Sequence, residues 1–295
     1  MEKTGIEELK KAGKITQEVK SFAKSIIVKG MPLLDIAEKI ENKIRELGGN
    51  PAFPVNLSIN EIAAHSTPSW DDTSTASGLL KVDIGVHIDG FVADTAITLD
   101  LDNNSENQKL IEAAEQALKN ALQHAKINTS LNEIGNSIEQ TIKSFNLLPV
   151  QNLSGHSIEP WNLHAGITIP NFGNGQNKTL QEGIYAIEPF STNGFGAVRD
   201  GRKSGIYSIQ KETNVRDSFA REVFAFIQKE YQTLPFCSRW LHKKFGSRAI
   251  LALHRLEEAG VLHHYAQLIE INKGKVAQAE HTIIVTDKET IVTTA

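Results

Sequence analysis

Val82-Asp83-Ile84-Gly85-Val86-His87-Ile88-Asp89-Gly90-Phe91-Val92-Ala93-Asp94-Thr95-Ala96 contains two strands and the turn between them. Val82, Ile84, Val86 and Ile88 alternate with other residues, the period-two pattern of a strand with a face in a core. Asp89-Gly90 is a strong two-residue turn, so Phe91 to Leu101 returns as the partner strand. With that loop, Ile88 pairs with Phe91 and Asp83 falls opposite Ala96. Asp83 and Asp94 then point to one face on diagonal positions, about 7–8 Å apart. Two carboxylates flanked by Val, Ile and Ala are costly to bury unless paired or metal-bound. On this stretch alone, the alternative is a solvated hairpin face.

Outward from the hairpin the period becomes helical. Ile6, Leu9, Ile15, Val19, Phe22 and Ile26 form one stripe, and Gly30-Met31-Pro32 interrupts it. Leu33, Ile36, Ala37, Ile40, Ile44 and Leu47 form a second, stopped by Gly48-Gly49. Beyond the hairpin, Ser105 with Gln108 and Ser130 with Glu133 have capping-box spacing, so two more helices should run to about Ala125 and about Phe145. Strand-like segments fill Val150 to Ser191. The stretch 213–267 reads as helical, with stripes at Phe219, Val223, Phe224 and Ile227, then Ile250, Leu253 and Leu256. Lys275 to Thr294 returns to strands, with Ile283, Ile284 and Val285 as core candidates.

The second helix maps onto the fourth with a shift of 98 positions (Leu33 onto Leu131). Ile36 then meets Ile134, Ile40 meets Ile138, Glu41 meets Glu139, Ile44 meets Ile142, and Leu47 meets Phe145. Any two amphipathic helices share a stripe. But the order helix, helix, strands also recurs, and His65 lies near register with His164. The economical architecture is an α+β domain with a pseudo-twofold internal repeat.

Composition bounds the rest. In 295 residues, 40% are hydrophobic and 22% charged, which excludes wholesale disorder. The net charge of -4 excludes a globally basic, nucleic-acid-binding coat. Cys237 is the single cysteine, so no intramolecular disulfide forms. No apolar run follows the charged N-terminus and no stretch has the length of a membrane span, so a cytoplasmic protein is expected.

Three further residues join the two aspartates. His156 sits in a Gly-, Ser- and Asn-rich turn. Glu188 ends the apolar run Gly183-Ile184-Tyr185-Ala186-Ile187, and Glu280 lies in Val276-Ala277-Gln278-Ala279-Glu280-His281-Thr282. Glu is a poor strand former, so its presence in two apolar strands needs a cause. Four carboxylates and one imidazole suit a pair of divalent first-row ions better than a structural zinc. Spacing alone does not choose between peptide and phosphate chemistry.

The order Asp83, Asp94, His156, Glu188, Glu280 resembles the dimetal set of the pita-bread metalloenzymes: methionine aminopeptidases, proline-specific aminopeptidases and prolidases. Several stretches are similar to type II methionine aminopeptidases in particular, in their short archaeal form. They are Ala64-His65 with Thr67-Pro68, Gly155-His156 through Asn162-Leu163-His164-Ala165-Gly166, Ala186-Ile187-Glu188-Pro189-Phe190, Phe236-Cys237-Ser238-Arg239-Trp240-Leu241, and Ala279-Glu280-His281-Thr282. The resemblance covers nearly the whole chain.

The resemblance implies a pita-bread (creatinase/aminopeptidase) fold, with residues 1–212 and 268–295 as the catalytic domain and 213–267 as an inserted, winged-helix-like helical subdomain. It implies two divalent metal ions (Co, Mn, Fe or Zn). Asp83 would hold one, His156 and Glu188 the other, and Asp94 and Glu280 would bridge them, so that a shared water attacks the scissile carbonyl. His65 and His164 would contact substrate, with Glu188 as proton carrier. Phe53, Leu163, Ile206 and Tyr265 would form a methionine pocket. The implied activity is removal of the initiator methionine when the second residue is small. Its partners would be N-termini of nascent polypeptides and the ribosome, with no membrane and no nucleic acid, for a monomeric enzyme. Glu2 is too large for that specificity, so the chain should keep Met1.

His87, His124, His242, His254, His263 and His264 read as structural, and the insert as a wall of the pocket. Ser66 departs from the family, which commonly has a bulkier aromatic there; it should touch the pocket rim. Two rival readings remain at this level: a proline-directed pita-bread aminopeptidase, and a non-catalytic pita-bread protein that binds ribosomes or nucleic acid. No Lys-rich N-terminal extension precedes the first helix, and neither does the large N-terminal domain usual in prolidase-like relatives.

Overall fold

The computed structural model describes residues 3–211 and 215–295. The retained Met1 and the 212/213 boundary lie outside the described residues. Seven helices are described: α1 (Lys3–Ile26), α2 (Leu33–Glu46), α3 (Ser105–His124), α4 (Leu131–Ser144), α5 (Ser218–Glu230), α6 (Ser238–Phe245) and α7 (Arg248–Glu258). The stripes read from sequence lie on their buried faces, except that Ile250 of α7 is exposed and Ala249 and Ala252 are buried beside Leu253 and Leu256. Leu9, Ala12, Val19 and Ala23 of α1 and Ile36, Ile40 and Ile44 of α2 are fully buried. They share one core with Val82, Ile84, Val86 and Val92 of the hairpin. The α4 stripe of Leu131, Ile134, Ile138 and Ile142 joins Leu110, Ala113 and Ala117 of α3 in a second core.

The hairpin pairs Leu79–Ile88 with Phe91–Asp100 in the expected register: Ile88 with Phe91, Asp83 with Ala96, and Gly85 with Asp94. Asp89 and Gly90 have φ of 48° and 86°. Two successive left-handed residues are what a tight twisted hairpin demands, and they match the dipeptide. Asn56–Ile59 pairs on the other side of the same strand, setting Asn56 opposite Asp83.

The repeat is visible element by element. Helices α2 and α4 have 14 residues each. Short strands follow at Asn50–Pro51 and Leu148–Pro149, then Asn56–Ile59 and Ser154–Ile158. Each strand of the second half starts 98 positions after its counterpart (148 − 50 and 154 − 56). The residue before each helix, Pro32 or Ser130, makes an isolated bridge, to Thr75 or Thr179.

Two local expectations are corrected. Helix α3 is capped by Asn104, whose side chain accepts the Glu106 N–H at 2.8 Å, so the cap lies one residue before Ser105. Ser130 does precede α4, but its hydroxyl makes no capping bond. The helical reading of 213–267 holds for α5–α7 among the described residues and fails at Phe236–Cys237 and beyond Glu258. Leu262–Glu270 is a strand that pairs antiparallel with Val198–Ile209. Phe236–Cys237 adds to the other edge of Val198–Ile209. A ready strand partner overrides local propensity there. Helices α5–α7 and these strands enclose a third core around Val223, Ile227, Phe236, Leu241 and Leu253.

The halves meet where Phe91–Asp100 lies against Val276–Gln278 and the residues that follow it. Threonines stitch this seam. The Thr282 hydroxyl accepts the Asp94 N–H at 2.7 Å and donates to the Asp94 carbonyl at 2.8 Å. Thr95 Oγ1 donates to the Glu280 carbonyl and Thr98 Oγ1 to the Gln278 carbonyl, both at 2.7 Å. No helix among the described residues is long and apolar enough to cross a membrane.

Candidate metal centre

The hairpin register delivers Asp83 and Asp94 to one face. His156 stands on Ser154–Ile158, which pairs with Gly183–Ile187, so Glu188 emerges beside it. Glu280 comes from the short link between Val276–Gln278 and His281–Val285, fixed by its N–H on the Ala96 carbonyl at 3.1 Å. Side-chain donor atoms of Asp94, His156 and Glu280 all lie within 4.8 Å of one another. His156 Nε2 is 3.8 Å from Asp94 Oδ2 and 3.6 Å from Glu188 Oε1. The five candidate ligands line one cavity of about 300 Å³.

Its electrostatics are one-sided. Among the described residues, no Lys or Arg lines the cavity. Burial pushes the carboxyls of Asp94, Glu188 and Glu280 well above the usual carboxylate range, and neighbouring carboxylates add to the effect. Burial also raises Asp83, while its contact with Asp94 acts in the opposite direction. Burial lowers His156 to about 3, with His164 contributing. Crowded buried carboxylates beside a neutral imidazole are donors whose metal-binding forms a divalent cation would stabilise. Asp83 Oδ1 and Asp94 Oδ1 are buried without a hydrogen-bond partner. These oxygens and the carboxylate-rich donor set fit divalent cations.

The metallopeptidase family M24 model matches residues 7–287. The chain belongs to this family. It is 47% identical to a methionine aminopeptidase of Pyrococcus abyssi over 98% of this chain and 99% of that protein. The fold also matches a thermophilic Arx1, with a TM-score of 0.86 at 17% identity over 99% of this chain and 91% of that one. A methionine aminopeptidase from Thermotoga maritima matches with a TM-score of 0.72 at 20% identity, over 100% and 98% of the two chains.

In this M24 chain the remaining sequence-singled residues gather around the same cavity. His65, His164, Phe53, Leu163, Ile206 and Tyr265 all line it. The His164 ring lies 4.4 Å from that of His156, and the His65 ring 5.3 Å from that of Tyr265. Desolvation within the cavity lowers His65 to about 4 and lowers His164 as well. Ser66 is not among the lining residues; its hydroxyl accepts from Gln267 Nε2 at 3.1 Å. Of residues 215–267, Pro235 and Tyr265 line the cavity, and neither is on a helix.

Gln278 and Asn56 are among the lining residues to which the sequence reading gave no role. Gln278 Nε2 donates to Glu188 Oε2 at 3.2 Å. Asn56 lies opposite Asp83 and is buried. Strand alternation carried the signal for Gln278, which is two residues from Glu280; for Asn56 it required the strand pairing.

Proposed function

We propose that this M24 protein is a methionine aminopeptidase, which hydrolyses the N-terminal methionine from nascent chains whose second residue is small. The carrying observation is the single cavity that joins five metal-type donors to two histidines and an apolar wall. Asp83 would hold one divalent ion and His156 with Glu188 the other, with Asp94 and Glu280 serving both; Co, Mn, Fe or Zn would suit these donors. Such an ion pair, when bound, polarises a carbonyl and activates a water.

The chain's own groups do the rest. His65 and His164 offer N–H groups to the oxygen that gains charge as the amide carbonyl becomes tetrahedral. Glu188, steadied by Gln278, carries a proton to the leaving amine. Phe53, Leu163, Ile206 and Tyr265 take the methionine side chain, each methylene counting for about 1–3 kcal/mol of discrimination. The same reading takes 1–212 and 268–295 as the catalytic domain and 213–267 as its insert. It places a monomeric enzyme in the cytoplasm, near the ribosome.

The test is release of free methionine from Met-Ala-Ser and Met-Glu-Ser by protein loaded separately with Co, Mn, Fe and Zn. Met-Ala-Ser should be cleaved and Met-Glu-Ser spared. No release with any metal, or faster cleavage of an Xaa-Pro peptide, defeats the reading.

A further inference from the structure

We propose that the helical insert clamps both histidine loops, with Arg239 as positioning residue for His65 and Thr233 for His164. The inference rests on the reading of those histidines as substrate contacts, and gives the insert a role beyond forming a wall.

His65 is itself left-handed, with φ of 56°, and the His164 loop contains Trp161 at φ of 62°. A non-glycine residue in this region costs about 1–3 kcal/mol and persists only where its surroundings over-determine it. The insert supplies a hold on each loop. Arg239 opens α6 and is almost fully buried, as is Glu41 of α2. Its guanidinium forks onto Glu41, Nη1 to Oε2 at 2.8 Å and Nη2 to Oε1 at 2.7 Å. Trp240 Nε1 donates to the same Oε2 at 2.8 Å. The fork leaves Arg239 Nε aimed at the Pro68 carbonyl, 3.1 Å away and three residues past His65. Thr233, between α5 and Phe236–Cys237, donates its hydroxyl to the Trp161 carbonyl, three residues before His164.

Each loop is also tied to its own half. The Leu57 N–H reaches the Ser66 carbonyl at 2.6 Å, and the Ala165 N–H reaches the Ser157 carbonyl at 2.8 Å. The histidine-bearing segments are thus held from two sides, and the insert is the side common to both. A buried ion pair often contributes little net stability against apolar replacements, so the measurable effect of this fork lies in aim.

The test is a pair of double-mutant cycles on the metal-loaded, full-length enzyme with Met-Ala-Ser. Arg239→Lys keeps the charge but loses the fork, and should lower kcat/KM by about tenfold or more, with metal content unchanged. Thr233→Val, at an exposed site, should lower it by about two- to tenfold. Arg239→Lys should have almost no further effect once His65→Ala is present, and Thr233→Val almost none once His164→Ala is present. Losses that persist in full in those backgrounds overturn the proposal. If Arg239→Lys fails to fold, the paired Glu41→Met, Arg239→Met variant takes its place. A second readout needs no turnover: Arg239→Lys should move the His65 ring resonances and spare those of His164, and Thr233→Val the reverse. An enzyme that releases no methionine yet shows these selective shifts sinks the peptidase reading and keeps the clamp; unmoved rings sink the clamp.

Discussion

Half-buried His65 and buried His87 are both imidazoles lowered to about 4, but only His65 lines the candidate metal cavity. His87 accepts the Gly90 N–H on Nδ1 at 3.2 Å and meets the Trp161 ring edge-on at 5.0 Å. Arg45 of α2, Asp89 of the turn, and Glu230 and Tyr231 at the end of α5 line the small cavity beside it. Burial lowers His87 to about 4, with Asp89 opposing. A folded-state pKa below the unfolded value means that the neutral form is favoured by folding. The contribution is full above about pH 6.5 and is lost as pH falls towards 4. At pH 5 the loss is about 2 kcal/mol. Urea unfolding at pH 7 and pH 5 should therefore show a smaller acid penalty for His87→Asn than for the parent, by about that amount. Equal penalties would remove His87 from the account. The residue types of the metal set were legible because buried carboxylates in apolar strands demand a reason. The one bond that orients Glu188, from Gln278, was not, since it depends on which strand lies beside which.

At the scale of elements, the Asp89-Gly90 turn made the hairpin register legible, and with it the placement of Asp83 and Asp94. The α3 cap was legible to within a residue: Asn104 and Ser105 are both good caps, and the Asp100 carboxylate, accepting the Asn104 N–H at 2.7 Å, settles it. The strand Leu262–Glu270 was hidden because its partner, Val198–Ile209, lies across the whole insert. The hairpin also shapes the cavity through Gly85, opposite Asp94. A Cβ there would sit 2.2 Å from Phe53 Cε1. Gly85→Ala therefore has to displace the Phe53 ring, which lines the cavity proposed to take the methionine side chain. We expect KM for Met-Ala-Ser to rise about tenfold while kcat changes little, with a stability cost of about 1–3 kcal/mol. Steady-state kinetics and urea unfolding check both parts. An unchanged KM would take Phe53 out of the pocket.

In the whole molecule, the shift of 98 positions made the pseudo-twofold plan legible, because both helices keep their stripe and the strands after them keep their order. The contacts of the insert were not legible: Arg239 meets Glu41 across 198 positions, and nothing local in either stretch names the other. The candidate metal ligands gather at the seam between the halves. Asp83 and Asp94 come from the first half, His156 and Glu188 from the second, and Glu280 from the C-terminal segment bonded to both. Cations held by these carboxylates would offset their mutual repulsion and so draw the two halves together. At metal concentrations about 100 times the Kd, binding adds about 2.7 kcal/mol to the bound state. Chelation should therefore speed hydrogen exchange at the seam amides of Asp94, Gln278 and Glu280 by up to about 100-fold. Amides of Ala117 in α3, Ile138 in α4 and Leu253 in α7 belong to cores that the cluster does not enter, and should change far less. Equal acceleration at all six positions would mean that the metals support global folding and that the seam has no stability of its own.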